Sequence, residues 1–380
     1  MNAFADPNIK KPNVAGQFYT ANPERLRSEI QSYLDRVETG QPRDVQILIA
    51  PHAGYMYSGQ VAAFGYKEAA HQKFSTVVIL APSHHFGFSG ISVWTEGGFQ
   101  TPLGVAEVDQ KFAKKLVEAD PLFIYEPRAF ELEHALEVEI PFVQVVEPQA
   151  KIVPVIMGQC AYPTLERLAE TLNSLIGSRR DVLVVVSSDM SHFHTDKKAR
   201  DLDGQTIELI KNFKTQEFWT ACSQQKLEMC GFVPVTAAML LAQKRGLKVE
   251  VLNYANSGDV TGDRNRVVGY TSAVFFSEST PAVEQKSDGL SGVLPLSQEQ
   301  KAALIRIARQ TVEEYVRTGK TFEPEVDDAR LSETEGAFVT LHKDGQLRGC
   351  IGNIIGQKPL YLTVRDMAIA AAANDPRFSP

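Results

Sequence analysis

Residues 182–192 read VLVVVSSDMSH. The apolar residues run consecutively rather than alternately, which suits a strand covered on both faces. Behind them comes a polar cluster containing Asp189 and His192. The pattern recurs twice upstream. ILIA (47–50) leads into Pro51-His52-Ala53-Gly54-Tyr55, and VVILA (77–81) leads into Pro82-Ser83-His84-His85. In an open parallel sheet, ligands bind beyond the carboxyl ends of the strands. Three histidine-bearing loops are therefore expected to converge on one sheet edge, with four of the chain's eight histidines among them.

Working outward, further strand-length apolar runs fall at 152–157, 249–254 and 267–276. Helical spacing is read over 24–36, 59–70, 110–119, 163–175, 196–212 and 234–244. Strands alternating with helices predict an α/β fold with a mainly parallel sheet and right-handed crossovers. This first domain is assigned to residues 12–276. Residues 277–293, beginning SESTPAVEQKSDGLSG, are polar and aperiodic and read as a linker. A second, smaller α+β domain follows over 294–380. Its first helix opens at Ser297 as N-cap, with Glu299 and Gln300 just behind it.

The 380 residues exceed one ordinary core and support two domains. A net charge of −7 argues against general nucleic-acid binding. The amino terminus lacks an apolar h-region, no run reaches membrane-span length, and the four cysteines form no CxxC pair. A reduced cytoplasmic protein is the expectation. P-loop, GxGxxG, HExxH and GxSxG motifs are absent, as is a cysteine triplet for an iron–sulfur cluster.

Cys230 precedes the helix expected from Pro234. A helix amino terminus lowers a nearby thiol pKa, and a metal lowers it further. One thiolate with two imidazoles suits iron(II), zinc or copper and leaves a coordination position open. His52, His84 and Cys230 are thus the candidate ligands. His192 suits a general acid or base, since a free imidazole titrates near neutrality. Asp189 serves to orient a ring or bind the metal, or else caps the following helix. His134 and its acidic neighbours, within Glu133-His134-Ala135-Leu136-Glu137, either line the cleft or belong to a solvated helix start. Glu133 and Glu137 would share a helical face. Tyr55 and His85 are further pocket candidates, although His85, like His194, reads more readily as an exposed residue than as a partner of the ligands.

Several blocks together resemble the Memo family: Asn13-Val14-Ala15-Gly16-Gln17-Phe18-Tyr19, Ala50-Pro51-His52-Ala53-Gly54-Tyr55, Ala81-Pro82-Ser83-His84-His85, Glu133-His134-Ala135-Leu136-Glu137, Ser187-Ser188-Asp189-Met190-Ser191-His192, Cys230-Gly231 and Leu252-Asn253-Tyr254-Ala255. That fold is similar to class III extradiol dioxygenases, which are non-haem iron enzymes. The resemblance implies a three-layer α/β/α domain, metal ligands at His52, His84 and Cys230, and an acid/base role for His192 beside Asp189. It puts iron first among metals, with copper or zinc as alternatives. The thiolate stands where those dioxygenases use a carboxylate, so ring cleavage does not carry over with the fold. The implied function is a metal-dependent, oxygenase-like redox protein. The alternative is a non-catalytic adaptor that holds a peptide or small molecule in the same cleft.

Leu347-Arg348-Gly349-Cys350-Ile351-Gly352 and Asp375-Pro376-Arg377-Phe378 resemble an AMME-type domain, whose pattern continues further than this copy. The pairing implies an AmmeMemoRadiSam system and a radical SAM protein as partner. Cys350 reads as a buried thiol in a tight turn, or as a nucleophile or modification acceptor.

Overall fold

In the computed structural model, the described residues are 8–40, 43–277 and 296–378, except 344–345, 354–355, 357 and 376. They fall into two compact units, residues 1–283 and 284–380. The expected linker, apart from Ser277, lies outside the described residues.

The first unit is built on a nine-stranded sheet. Its strands are β1 (Asp44–Ala50), β2 (Thr76–Pro82), β3 (Ile91–Val93), β4 (Phe123–Ile124), β5 (Lys151–Met157), β6 (Val182–Ser187), β7 (His192–His194), β8 (Lys248–Asn256) and β9 (Val267–Ser277). The order is β7-β9-β1-β6-β2-β5-β3-β4, with β8 also paired to β9. β1, β6, β2 and β5 are mutually parallel. β8, β9 and β7 join antiparallel, and β3 joins β5 antiparallel. The sheet is therefore mixed, with a parallel centre and antiparallel flanks. The run at 267–276 gave no sign of direction, because a hairpin strand buried in a sheet's interior resembles a parallel one, and the run at 249–254 proves to be a partly exposed edge strand.

The longer helices are α1 (Pro23–Asp35), α2 (Tyr55–Ala69), α3 (Gln110–Ala119), α4 (Ala135–Val146), α5 (Tyr162–Ile176), α6 (Asp196–Lys211), α7 (Thr215–Ser223) and α8 (Phe232–Lys244). α1, α2 and α4 pack together against one face. α5 and α8 pack together, with α3 and α7 beside them, against the other. Two helical layers around one sheet explain the unbroken apolar strands: every residue of β2 and β6 is buried. Each fully buried Val, Ile or Leu there contributes roughly 1.5–3 kcal/mol. α2 begins at Tyr55, ahead of the expected 59, because Gly59 lies inside the helix. A Cβ at Gly59 would come within 2.7 Å of the Tyr33 ring, so glycine serves helix packing there and does not mark a start.

The second unit pairs α9 (Gln298–Thr318) and α10 (Leu360–Ala373) with a hairpin of β10 (Phe338–Lys343) and β11 (Gln346–Gly352). Ser297 caps α9 in a reciprocal box with Gln300, and Leu304, Leu331, Val339, Leu360 and Val364 form the core. Cys350 lies in strand β11, not in a tight turn, and is partly buried. Its amide donates to Asp375 at 2.8 Å, and Arg377 donates to its carbonyl at 3.1 Å. The DPRF block thus clamps the LRGCIG block. A Cβ at Gly349 would come within 1.9 Å of the Ala371 carbonyl oxygen, so α10 reaches this strand only over glycine. Among the described residues, no helix is long and apolar enough to cross a membrane.

Candidate metal centre

β1, β6 and β2 are neighbours and run in one direction, so their carboxyl ends lie side by side. His52 follows β1. Its amide donates to Asp189 Oδ1 at 2.8 Å, which ties the first loop to the side chain of the third. Its Nδ1 lies 2.8 Å from Ser187 Oγ at the end of β6. Its Nε2 faces Cys230 Sγ at 3.2 Å. The ring is buried.

Cys230 stands two residues ahead of α8, held to the β6 loop by backbone. Its amide donates to the Asp189 carbonyl at 3.2 Å, and the Gly231 amide donates to Ser188 Oγ at 2.8 Å. A Cβ at Gly231 would lie 2.6 Å from the Ser187 carbonyl oxygen, so the approach requires glycine. The Asp189 amide donates to the Cys230 sulfur at 3.2 Å.

His84 follows β2 and is fixed by Glu133. The buried carboxylate accepts from the His84 amide at 2.6 Å and faces His84 Nδ1 at 2.9 Å. It also accepts from the amides of His134 and Ala135 at 2.9 and 2.8 Å. His134 is the N-cap residue of α4. Its ring stacks on His84, with centroids 4.9 Å apart, and meets His52 edge-on at 5.5 Å. One ligating atom from each of His52, His84 and His134 lies within 4.8 Å of the others. Burial runs from buried His52 through half-buried His134 to exposed His84, so the set opens on one side.

The electrostatics follow from this packing. Burial, helped by the neighbouring His84, brings His52 down to about 3. Burial, with His52 beside it, brings His134 down to about 4. Both rings are neutral at pH 7, the form a ligand needs. Burial pushes the Glu133 carboxyl up, but hydrogen bonds from His84 and from backbone amides outweigh it and bring it down to about 2. Burial lowers His84, yet the Glu133 carboxylate more than reverses this and leaves it raised. Burial raises Asp189 against the opposing pull of His192 and the His52 amide.

The expectation for Cys230 is corrected. Burial pushes its thiol well up, the Asp189 charge adds to this, and the amide bonds only partly offset it. The sulfur lies among protein atoms, where desolvation of a thiolate outweighs a helix end.

His52 and His84 converge with His134, one ligating atom of each lying within 4.8 Å of the others, while Cys230 adjoins this cluster through His52, 3.2 Å from its Nε2. The solvated helix start is overturned: Glu133 lies outside α4, and Glu133, Glu137 and Glu139 are all buried. Glu137 accepts from the amides of Asn13 and Val14 and from Tyr19 Oη, far from any solvated face. Tyr55 is not a pocket residue. It is buried, donates to the Val138 carbonyl at 2.7 Å and packs on Tyr19 and Phe142. Asp189 caps no helix, since the next element is strand β7. His192 lies in β7, close enough for its charge to act on His52 and Asp189. His85 is exposed, its ring 5.8 Å from that of His134, and His194 pairs with Glu228 at 2.8 Å. Ser187 and Glu139 were missed as site residues, and Glu133, read as a cleft-lining or a solvated acid, proves to be the buried partner of His84. The only signal available was the run of acids on both sides of His134, whose burial the sequence does not show.

A family model described as Memo-like protein matches residues 10–274. The chain belongs to that family. A MEMO1 family protein of Sulfolobus acidocaldarius is 36% identical over 281 residues, covering 70% of this chain and 99% of the relative. One from Methanothermobacter thermautotrophicus is 35% identical over 272 residues, covering 69% and 98%. A crystal structure of an uncharacterized Pyrococcus horikoshii protein aligns over 20% of this chain and 41% of its own, at 43% identity and a TM-score of 0.20. A second family model, AMMECR1, matches residues 305–380.

The donor set of this Memo-like chain fits a metal ion. Its imidazoles are neutral, Ser187 and Glu133 hold the Nδ1 sides of His52 and His84, and a thiol adjoins the cluster. Ligating histidines commonly have their second nitrogen held in this way.

Proposed function

We propose that this chain is a metal-dependent, oxygenase-like redox protein whose single divalent ion is held by His52, His84 and Cys230, with His134 completing the pocket wall. The observation that carries the reading is the convergence itself: three imidazoles with ligating atoms within 4.8 Å and a thiol 3.2 Å from one of them. Iron is the first candidate, with copper or zinc as alternatives, because mixed imidazole and thiolate donors suit all three.

Such an ion supplies Lewis acidity and, if iron or copper, one-electron chemistry at the open side of the cluster. The chain's own residues do the rest. Glu133 keeps the His84 ring turned to the pocket. The Asp189 amide points at the Cys230 sulfur and favours its anionic form. The buried Asp189 carboxyl pins the His52 loop. His192, in electrostatic reach of both, takes or delivers a proton at its ring nitrogens as a substrate reacts. The family fold and the AMMECR1 match in one chain support a radical SAM protein as working partner.

Metal analysis of protein purified without oxygen tests the site. Wild type is expected to carry near-stoichiometric metal, and C230S and H52A much less. Equal metal in all three would remove these residues from the site. A pull-down from native cells lacking any radical SAM protein would count against the partner.

A further inference from the structure

Behind the cluster, Ser187 Oγ has three close neighbours. The Ala135 carbonyl oxygen is at 2.7 Å, Glu139 Oε1 at 2.9 Å and His52 Nδ1 at 2.8 Å. A hydroxyl has one proton and two acceptor sites. The Ala135 carbonyl has no proton to give, so a 2.7 Å contact between two oxygens requires that the serine proton lie on it. Both remaining neighbours must then be donors to Ser187. For His52 this places the hydrogen on Nδ1. For Glu139 it requires a protonated carboxyl. The other carboxyl oxygen, Oε2, accepts from Tyr66 Oη at 2.8 Å, as the carbonyl oxygen of an acid would. Each close contact of Ser187 Oγ and of the Glu139 carboxyl then has one donor and one acceptor.

We propose that Glu139 is a positioning residue: a neutral carboxylic acid that, through Ser187, locks His52 in the tautomer with hydrogen on Nδ1 and a bare Nε2 toward Cys230. The surroundings agree. Glu139 is 1% exposed. The groups facing it are Tyr66 and Tyr55 from α2, Ser187 from β6 and Asp189 from the loop behind β6, with no basic side chain among them. Burial pushes its carboxyl up to about 8, the tyrosine hydrogen bond pulls the other way, and the Asp189 charge adds to the rise. An isolated buried carboxylate is costly, and neutralisation is the ordinary escape. The inference rests on the proposed metal site for its consequence, because a ligand held in one tautomer loses no affinity to the other.

The test uses the full chain, metal-free, with ¹⁵N-labelled histidine, comparing wild type with E139Q, E139A and S187A. Glutamine can donate to Ser187 and accept from Tyr66, so it mimics the neutral acid. Expected at pH 7 is a single His52 tautomer with hydrogen on Nδ1 in wild type and E139Q. Infrared difference spectra should show a protonated-carboxyl band in wild type that E139Q lacks. E139A and S187A should mix tautomers and weaken zinc binding by about 10–100-fold, with E139Q near wild type. No protonated-carboxyl band, or loss of the tautomer in E139Q, overturns the proposal. E139Q folds the same hydrogen-bond pattern, so the test survives if E139A does not fold. Wild type that binds no zinc would instead sink the metal site and leave the tautomer and infrared results to decide this inference alone.

Discussion

Replacing Glu133 by glutamine is expected to cost the metal-free protein about 3 kcal/mol at pH 7 and to weaken metal binding about 10–100-fold. The carboxyl lies at about 2 against an ordinary 4.5. At about 1.4 kcal/mol per unit, this gives about 3 kcal/mol for the ionised form in the fold. The hydrogen bonds that depress the carboxyl give a similar size when counted directly. Oε1 takes three donors and Oε2 takes the His84 amide. Glutamine must turn its NH₂ toward one of these donors, losing a charge-assisted bond of about 1.5–3 kcal/mol. The assay is urea unfolding of both proteins between pH 3 and 8. The folded pKa is depressed, so the stabilisation is fully present above 4.5 and is lost as pH falls through 2. The gap between wild type and E133Q should therefore be widest at neutral pH and narrow below 4.5. A gap under about 0.5 kcal/mol at pH 7, or one independent of pH, would refute the reasoning.

Other changes follow from the same packing. His134 is held down at about 4 against an unfolded 6.5, so the unfolded chain takes its proton first as pH falls. At pH 5 this term costs wild type about 2 kcal/mol relative to pH 7, and H134Q should lack it in urea titrations at the two pH values. G231A places a methyl 2.6 Å from the Ser187 carbonyl oxygen, so it should cost about 1–3 kcal/mol and speed labelling of Cys230 by a thiol reagent. In the second unit, D375N removes the charged acceptor of the Cys350 amide, and that amide should exchange hydrogen faster while first-unit amides are unchanged.

The fold was legible because three strands announce themselves as buried on both faces: ILIA, VVILA and VLVVV carry no polar interruption. Their following loops named His52, His84 and Asp189 by position alone. Direction within the sheet was not legible, since the middle of β9 is as buried as β6 yet β9 runs antiparallel to its neighbour β1. The acids were misread for a physical reason. Glu133, Glu137 and Glu139 look like a solvated helix, because burial of a carboxyl depends on donors contributed from distant segments. Those donors are the His84 ring, the amides of Asn13 and Val14, and Tyr66. Tyr55 was misplaced because adjacency to His52 in sequence says nothing about which way the first turn of α2 faces. The thiol pKa of Cys230 was misjudged because a helix end can be read from sequence and desolvation cannot.

The most direct test of the metal centre is X-ray absorption at the edge of the bound metal, in wild type and in C230S. Two or more imidazole nitrogens and one sulfur are expected around the ion in wild type, with the sulfur contribution missing in C230S. A first shell of oxygen donors only, or a sulfur signal that survives the substitution, would contradict the account.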